Sequence, residues 1–181
     1  MIESFIDRLV HQGSITIEVT PPRSCTLDTI LSTIDTHLST LDFDGFSVTD
    51  NPLAKLKFSA IVTAQVLQER YKKPAITTMS MRDKNIIALQ SDLLGMNYCN
   101  LRTVLALTGD PAKLSDQPDA KGVFEGDSTK LLRTIACFNA GIDYAGKPFT
   151  TKPKPVYPIA VSNSYAKNFS HKKKKWHKKI E

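Results

Sequence analysis

The chain has 181 residues, of which 41% are hydrophobic and 23% are charged, a composition typical of a single globular domain with a sizeable core. Its net charge of +6 is concentrated at one end, because His171 to Glu181 hold six lysines and one acid and contribute +5. The rest of the chain is nearly neutral, so its folded part has no charge pattern that would predict nucleic-acid binding.

The same composition bears on the compartment and on metal binding. No apolar run approaches the roughly 20 residues that cross a bilayer. The amino terminus, Met1-Ile2-Glu3-Ser4, has an acidic residue where a signal peptide would be basic. We therefore expect a cytoplasmic protein without membrane contact. Cys25, Cys99 and Cys137 are widely spaced, odd in number and not paired with histidines, which indicates neither a disulfide framework nor a metal site.

Apolar periodicity predicts a first amphipathic helix, followed by strands and helices in alternation. β-branched or apolar runs that end in turn signals predict strands, and i, i+3, i+4 spacing predicts helices. The predicted strands cover residues 15–20, 45–50, 74–81, 104–107 and 156–161. The predicted helices cover residues 2–10, 27–41, 58–71, 85–94 and 129–138, with Gly95 as the stop of the fourth.

This alternation indicates a parallel sheet with right-handed crossovers. An open doubly wound sheet and a (β/α) barrel both fit that pattern. No Gly-x-Gly-x-x-Gly fingerprint follows the first strand, which argues against a dinucleotide-binding open sheet. We therefore predict an α/β fold, an incomplete (β/α)8 TIM-type barrel with about five parallel strands and intervening helices.

The carboxyl ends of the predicted strands hold the candidate functional residues. The fourth strand runs into Thr108-Gly109-Asp110-Pro111, and Glu18 lies near the end of the first strand. Parallel α/β proteins bind ligands at this edge, although a plain strand-ending turn and a solvated glutamate explain the same residues. Arg82-Asp83 fits either a cofactor-contacting ion pair or an exposed pair that caps a helix.

The segment between the fourth strand and the last helix is long for a turn. Its length over residues 112–123 indicates a segment that covers a ligand. Within it, Lys121 could reach a diphosphate as a point charge. Asp127 or Ser128 is expected to cap the helix that follows.

Several separated segments together resemble the methylenetetrahydrofolate reductase family in order and spacing. They include the first strand with its prolines, the third strand with the helix after it, and the Gly-Asp loop of the fourth strand. The matching residues are 15–23, 47–49, 78–95, 105–111, 121–124 and 127–128, within a resemblance that spans roughly residues 12–168.

The resemblance implies a flavoenzyme of folate one-carbon metabolism that contributes to methionine supply. Such an enzyme uses FAD to pass a hydride from NADH or NADPH to 5,10-methylenetetrahydrofolate, which gives 5-methyltetrahydrofolate. The family's general acid falls on Glu18, which would protonate N10 of the folate so that the ring opens. The aspartate of its Gly-Asp motif falls on Asp110, which would bond the pterin and tune the flavin.

The resemblance also implies a set of FAD-binding residues. Thr49, Thr108 and Gly109 fall on positions near the flavin ring. Thr78 occupies a flavin-contacting position where many relatives have histidine. The loop that holds the adenosine half of FAD falls on Phe124, Gly126 and Asp127.

The segment that resembles the family is too short to form a whole eight-stranded barrel. An eight-stranded barrel needs about 250 residues, and the family's later segment, with a cofactor lysine and a folate-binding glutamine, has no counterpart here. We therefore expect a partial flavin-binding barrel over residues 1–168 and a basic disordered tail over residues 169–181. A natural truncation, a frameshifted gene and a half-barrel completed by a homo-oligomer or a partner chain each explain the short match.

The alternative function is a non-catalytic flavin- or folate-binding remnant, or an interaction module.

Overall fold

A computed structural model describes residues 1–38 and 40–161 of the chain. The basic tail predicted for residues 169–181, and the domain end predicted at residue 168, lie outside these residues. No helix in the described ranges is long and apolar enough to cross a membrane.

In the described residues a first α-helix is followed by five strands that alternate with four further α-helices, as the apolar periodicity predicts. The strands are β1 (Thr16–Val19), β2 (Gly45–Val48), β3 (Ala75–Ser80), β4 (Thr103–Leu107) and β5 (Tyr157–Ala160). The helices are α1 (Ile2–His11), α2 (Asp28–His37), α3 (Ala60–Tyr71), α4 (Ile86–Tyr98) and α5 (Ser128–Asn139). Two short 3-10 turns, Pro52–Ala54 and Ala112–Leu114, follow β2 and β4.

The five strands form one parallel sheet in the order β1-β2-β3-β4-β5. A doubly wound sheet would reverse its strand order at a switch point, whereas a sequential order is that of a barrel. The α/β fold predicted from the sequence, part of a (β/α) barrel, is therefore confirmed. Among the described residues, β1 and β5 each have one neighbouring strand.

The two faces of the sheet differ in chemistry because strand residues alternate between them. One face carries Val19, Phe46, Val48, Met79 and Val104, all buried, and packs against the helices in one apolar cluster. Paired residues in a parallel sheet share a face, so the register places Glu18 and Ser47 together on the other face. That face corresponds to the lumen of a barrel, and we call it the lumen face.

Helix α1 lies at the amino-terminal end of the sheet, opposite the strand ends with the candidate residues. Its Arg8 pairs with Asp44, just before β2, at 2.7 Å, and its Glu3 pairs with Arg102, just before β4. Phe5 is buried beside Gly45, where an added Cβ would lie 3.4 Å from the phenyl ring. These contacts hold the strand starts, which leaves the carboxyl ends free for a site.

The structure corrects two of the predicted helix ends. Gly95 does not stop α4, which continues to Tyr98 because Leu93 and Met96 are buried. Burial of such side chains outweighs the penalty of about 1 kcal/mol for glycine in a helix. Helix α2 ends at His37 rather than at residue 41, and Leu38 leaves it with a φ of −112°.

Pro158 lies inside β5, as expected from the strand predicted over residues 156–161, which contains this proline. The backbone N–H of the preceding Tyr157 donates to the Arg102 carbonyl at 2.7 Å. Because N–H groups alternate in direction along a strand, the position of Pro158 is one that faces away from β4. The proline therefore removes no hydrogen bond from the β4–β5 ladder.

Candidate active site

A cavity of about 550 Å³, here called the main cavity, lies at the carboxyl ends of the strands on the lumen face. Its volume falls in the range of about 300–1,000 Å³ that is usual for small-molecule sites. Six residues predicted from the sequence line it: Glu18, Thr49, Thr78, Thr108, Gly109 and Asp110. The fold thus brings together residues that are up to 92 positions apart in the chain.

The side walls of the main cavity come from the alternation of the strands. Glu18 of β1 and Ser47 of β2 are paired in register, as are Thr78 of β3 and Leu105 of β4. Glu18 is exposed at the mouth, whereas Thr78 is buried and its hydroxyl bonds to no other described residue. A carboxyl in contact with solvent and a hydroxyl free for a ligand therefore face the same space.

Gly109 is held in a conformation that other residues rarely adopt. Its φ is +96°, and an added Cβ would lie 2.7 Å from Cβ of Arg82 and 3.3 Å from Cβ of Ser80. The backbone at the end of β4 is therefore packed against the end of β3 without room for a side chain. Beside it, the Thr108 hydroxyl accepts a hydrogen bond from the Ser128 N–H at 3.1 Å, which joins the cavity wall to the start of α5.

Asp110 supports the loop that follows β2. Its Oδ2 accepts a hydrogen bond from the Leu53 N–H at 2.7 Å. Leu53 and its neighbours Asn51 and Ala54 all have positive φ, at 56°, 42° and 58°. Such a backbone costs of order 1–3 kcal/mol per residue and persists only where surrounding contacts fix it. One oxygen of the Asp110 carboxylate is therefore committed to this strained loop.

Arg82 is the second support of the strained loop. The residue is 2% exposed, and its guanidinium donates to Asp83 at 2.6 and 2.7 Å and to the Asn51 carbonyl at 2.9 Å. The Asp83 carboxylate, with smaller contributions from Asp50 and Asp110, raises the pKa of Arg82. Of the two sequence interpretations, an exposed capping pair is wrong for Arg82, because its side chain is buried in the wall of the cavity.

Phe124, Gly126 and Asp127 lie outside the main cavity, on the segment that leads into α5. Phe124 donates its N–H to the Met81 carbonyl at 3.1 Å and has a φ of +39°. An added Cβ at Gly126 would lie 2.6 Å from the side chain of Lys130. Asp127 is the N-cap of α5 and accepts from the Thr129 N–H at 2.9 Å, which confirms the predicted cap. The adenosine role of these residues stays a prediction.

The loop over residues 112–123 lines a smaller cavity beside the main one. This cavity has a volume of about 150 Å³ and is bounded by Lys55, Arg82, Asp83, Gln117 and Lys121, among others. No residue of the loop lines the main cavity. The loop is fixed at its middle by Asp116, whose carboxylate pairs with Arg23 at 2.6 Å.

Sequence reasoning missed several residues of the main cavity. Ser47 and Ser80 line it because they alternate with helix-facing residues in β2 and β3, a signal that was readable from the strand pattern. Asp50 lines it as well, immediately after the predicted Thr49. Burial raises the pKa of Asp50, the largest of the effects on this carboxyl.

A sequentially ordered parallel sheet with a polar cavity at its carboxyl edge defines a partial (β/α) barrel with a ligand site in the usual place for that fold. The chain belongs to the methylenetetrahydrofolate reductase family: the family model described as methylenetetrahydrofolate reductase matches residues 3–180. Membership makes the chain a relative of folate-reducing flavoenzymes. A comparison with curated proteins gives no match.

Proposed function

We propose that this chain reduces 5,10-methylenetetrahydrofolate to 5-methyltetrahydrofolate, with FAD as cofactor and NADH or NADPH as the hydride donor. One observation supports it above the others. The six residues that the family resemblance selects around the flavin and the folate line a single cavity of about 550 Å³. The family match covers all six of them.

The residues of the main cavity fit a flavin ring. Gly109 offers backbone without a side chain, so a flat ligand can approach it closely. Leu105 and Leu107 give the cavity apolar surface, and the threonine hydroxyls of Thr49 and Thr78 can bond polar ring atoms. When bound, FAD supplies the hydride-transfer chemistry that amino-acid side chains lack. In this proposal, Phe124, Gly126 and Asp127 hold its adenosine half.

Glu18 is proposed as the general acid. It lines the mouth of the cavity and is exposed, so its carboxyl can take up a proton from solvent and deliver it to N10 of a folate in the cavity. The second oxygen of Asp110 makes no hydrogen bond to the described residues, which leaves an acceptor for the pterin N–H groups.

The substitution Glu18→Gln tests this proposal. We expect methylenetetrahydrofolate reduction to fall by about 100-fold or more, because general acids contribute about 10²–10⁴. FAD affinity, read from quenching of flavin fluorescence, should be unchanged. Glu69→Gln on α3, outside the cavity, is the matched control and should keep full activity. Undiminished turnover in Glu18→Gln would refute the assignment of the acid.

A non-catalytic flavin- or folate-binding module is the second candidate. It is favoured by the sheet edges, since β1 and β5 have one strand neighbour each in the described part of the chain. Exposed edges invite pairing with another chain, so a homo-oligomer or a partner chain that completes the barrel is part of this candidate. Sedimentation of the FAD-loaded protein, run beside the turnover assay, separates the two. Saturable FAD binding without turnover in any assembly would favour the module.

A further inference from the structure

Asp50 is a carboxyl of the main cavity to which the proposed reaction assigns no role. It follows β2 directly after Thr49 and is half-buried. The hydroxyl of Ser80 donates to its Oδ2 at 3.4 Å, a long hydrogen bond. It therefore faces the ligand space, and the described residues leave most of its hydrogen-bonding capacity unused.

The cations near Asp50 are engaged elsewhere. Arg82 is paired with Asp83, and Lys84 donates to Asp92 at 2.5 Å. Groups from the neighbouring elements also bear on Asp50 or share its cavity: Ser80 of β3, Arg82, Asp83 and Lys84 after β3, Glu18 of β1, and Asp110 after β4. Burial outweighs the attraction of the two cations, and the pKa of Asp50 is raised.

We propose that Asp50 binds the ligand of the main cavity as a neutral carboxylic acid that donates a hydrogen bond to an acceptor on a heteroaromatic ring. The carbonyl oxygens and unprotonated ring nitrogens of an isoalloxazine are acceptors of this kind. This inference rests on the proposed flavin site and adds a ligand-binding residue to it. It gives Asp50 and Glu18 different tasks in the cavity, since Asp50 keeps its proton and Glu18 transfers one.

The inference predicts pH-dependent affinity. A protonated carboxyl has an O–H to donate, whereas a carboxylate has only acceptors and repels an acceptor on the ligand. Affinity should therefore be highest at low pH and fall as Asp50 ionises. Loss of one hydrogen bond corresponds to about a tenfold weaker Kd.

FAD titrations from about pH 4, just above the ordinary pKa of an aspartate, up to about pH 9 test the prediction. In the parent protein, Kd should weaken about tenfold across the titration of Asp50. Asp50→Asn keeps a permanent N–H donor and should hold Kd nearly constant over the same range. Asp119→Asn is the control, because Asp119 is exposed and outside the cavity, and it should follow the parent.

The outcomes separate this inference from the proposed function. Absence of FAD binding by the parent at every pH would overturn both. FAD binding with the same pH profile in the parent and in Asp50→Asn would overturn the role of Asp50 alone.

Ligand-free stability gives a second readout. A raised carboxyl pKa destabilises the folded state progressively above the unfolded value of about 3.9. Asp50→Asn should therefore melt at a higher temperature than the parent at neutral pH and at the same temperature near pH 3. Equal melting temperatures at both pH values would contradict a raised pKa of Asp50.

Discussion

The substitution Gly109→Ala measures how closely the ends of β3 and β4 are packed beneath the main cavity. A positive φ costs an alanine about 1–2 kcal/mol. The new Cβ would also lie 2.7 Å from Cβ of Arg82, which must shift although its guanidinium is tied on both sides. Overpacking of this kind costs about 1–3 kcal/mol. We therefore expect a loss of about 2–5 kcal/mol in the free energy of unfolding.

Gly13→Ala is the matched control for the cost of placing an alanine at a positive φ. Gly13 has a φ of +82°, and an added Cβ there would meet no atom of the described residues within 4 Å. Urea unfolding gives the loss of unfolding free energy in each variant. The loss in Gly109→Ala should exceed that in Gly13→Ala by about 1–3 kcal/mol, which is the cost of the close contact with Arg82. If Gly109→Ala is no less stable than Gly13→Ala, the close packing of the strand ends does not constrain the site, and the reasoning fails.

Three further substitutions probe the scaffold. The side-chain amide of Asn139 donates to the carbonyl of buried Val156, just before β5, and accepts from its N–H, at 2.8 Å each. Asn139→Ala removes both hydrogen bonds and should lower the free energy of unfolding by about 2–4 kcal/mol, measured in urea. Asn97→Ala removes a similar pair of hydrogen bonds to the backbone of exposed Lys154 and should lower the free energy of unfolding by less. Hydrogen bonds from Arg70 and Tyr71 lower the pKa of Asp35, so its contribution to stability is present above the unfolded value of about 3.9 and is lost as pH falls through the lower folded value. In thermal melts, Asp35→Asn should therefore be less stable than the parent at pH 7 and equal to it near pH 2.

The strands were predictable from sequence because their signal is local. β-branched residues alternate in β1, and the apolar run of β4 stops at a Gly-Asp-Pro turn, so no distant contact is needed to recognise either strand. The end of α4 was not predictable, since Gly95 is a strong local stop signal and only tertiary burial of Met96 outweighs it.

The site was predictable where a strand end, together with the family resemblance, indicated a residue. Glu18 lies next to the last residue of β1 and Thr108 directly follows β4, and parallel strands bring such residues to one edge. Asp50 and Arg82 lie in loops, where no periodicity indicates which side chain turns inward. The burial of Arg82 depends on the Asn51 carbonyl, 31 positions away, and sequence spacing carries no trace of that contact.

Loop support and ligand binding are joined in Asp110. One of its oxygens bonds the Leu53 N–H, and Leu53 belongs to a loop whose backbone is strained at three residues. A ligand that bonds the other oxygen draws on the same carboxylate, so its binding and the shape of the loop are physically linked. Because Arg82 fixes the other end of that loop through Asn51, the wall of the cavity is set by two contacts between successive loops. The geometry of the candidate site therefore depends on how the β2, β3 and β4 loops bind one another, as well as on the residues that face the ligand.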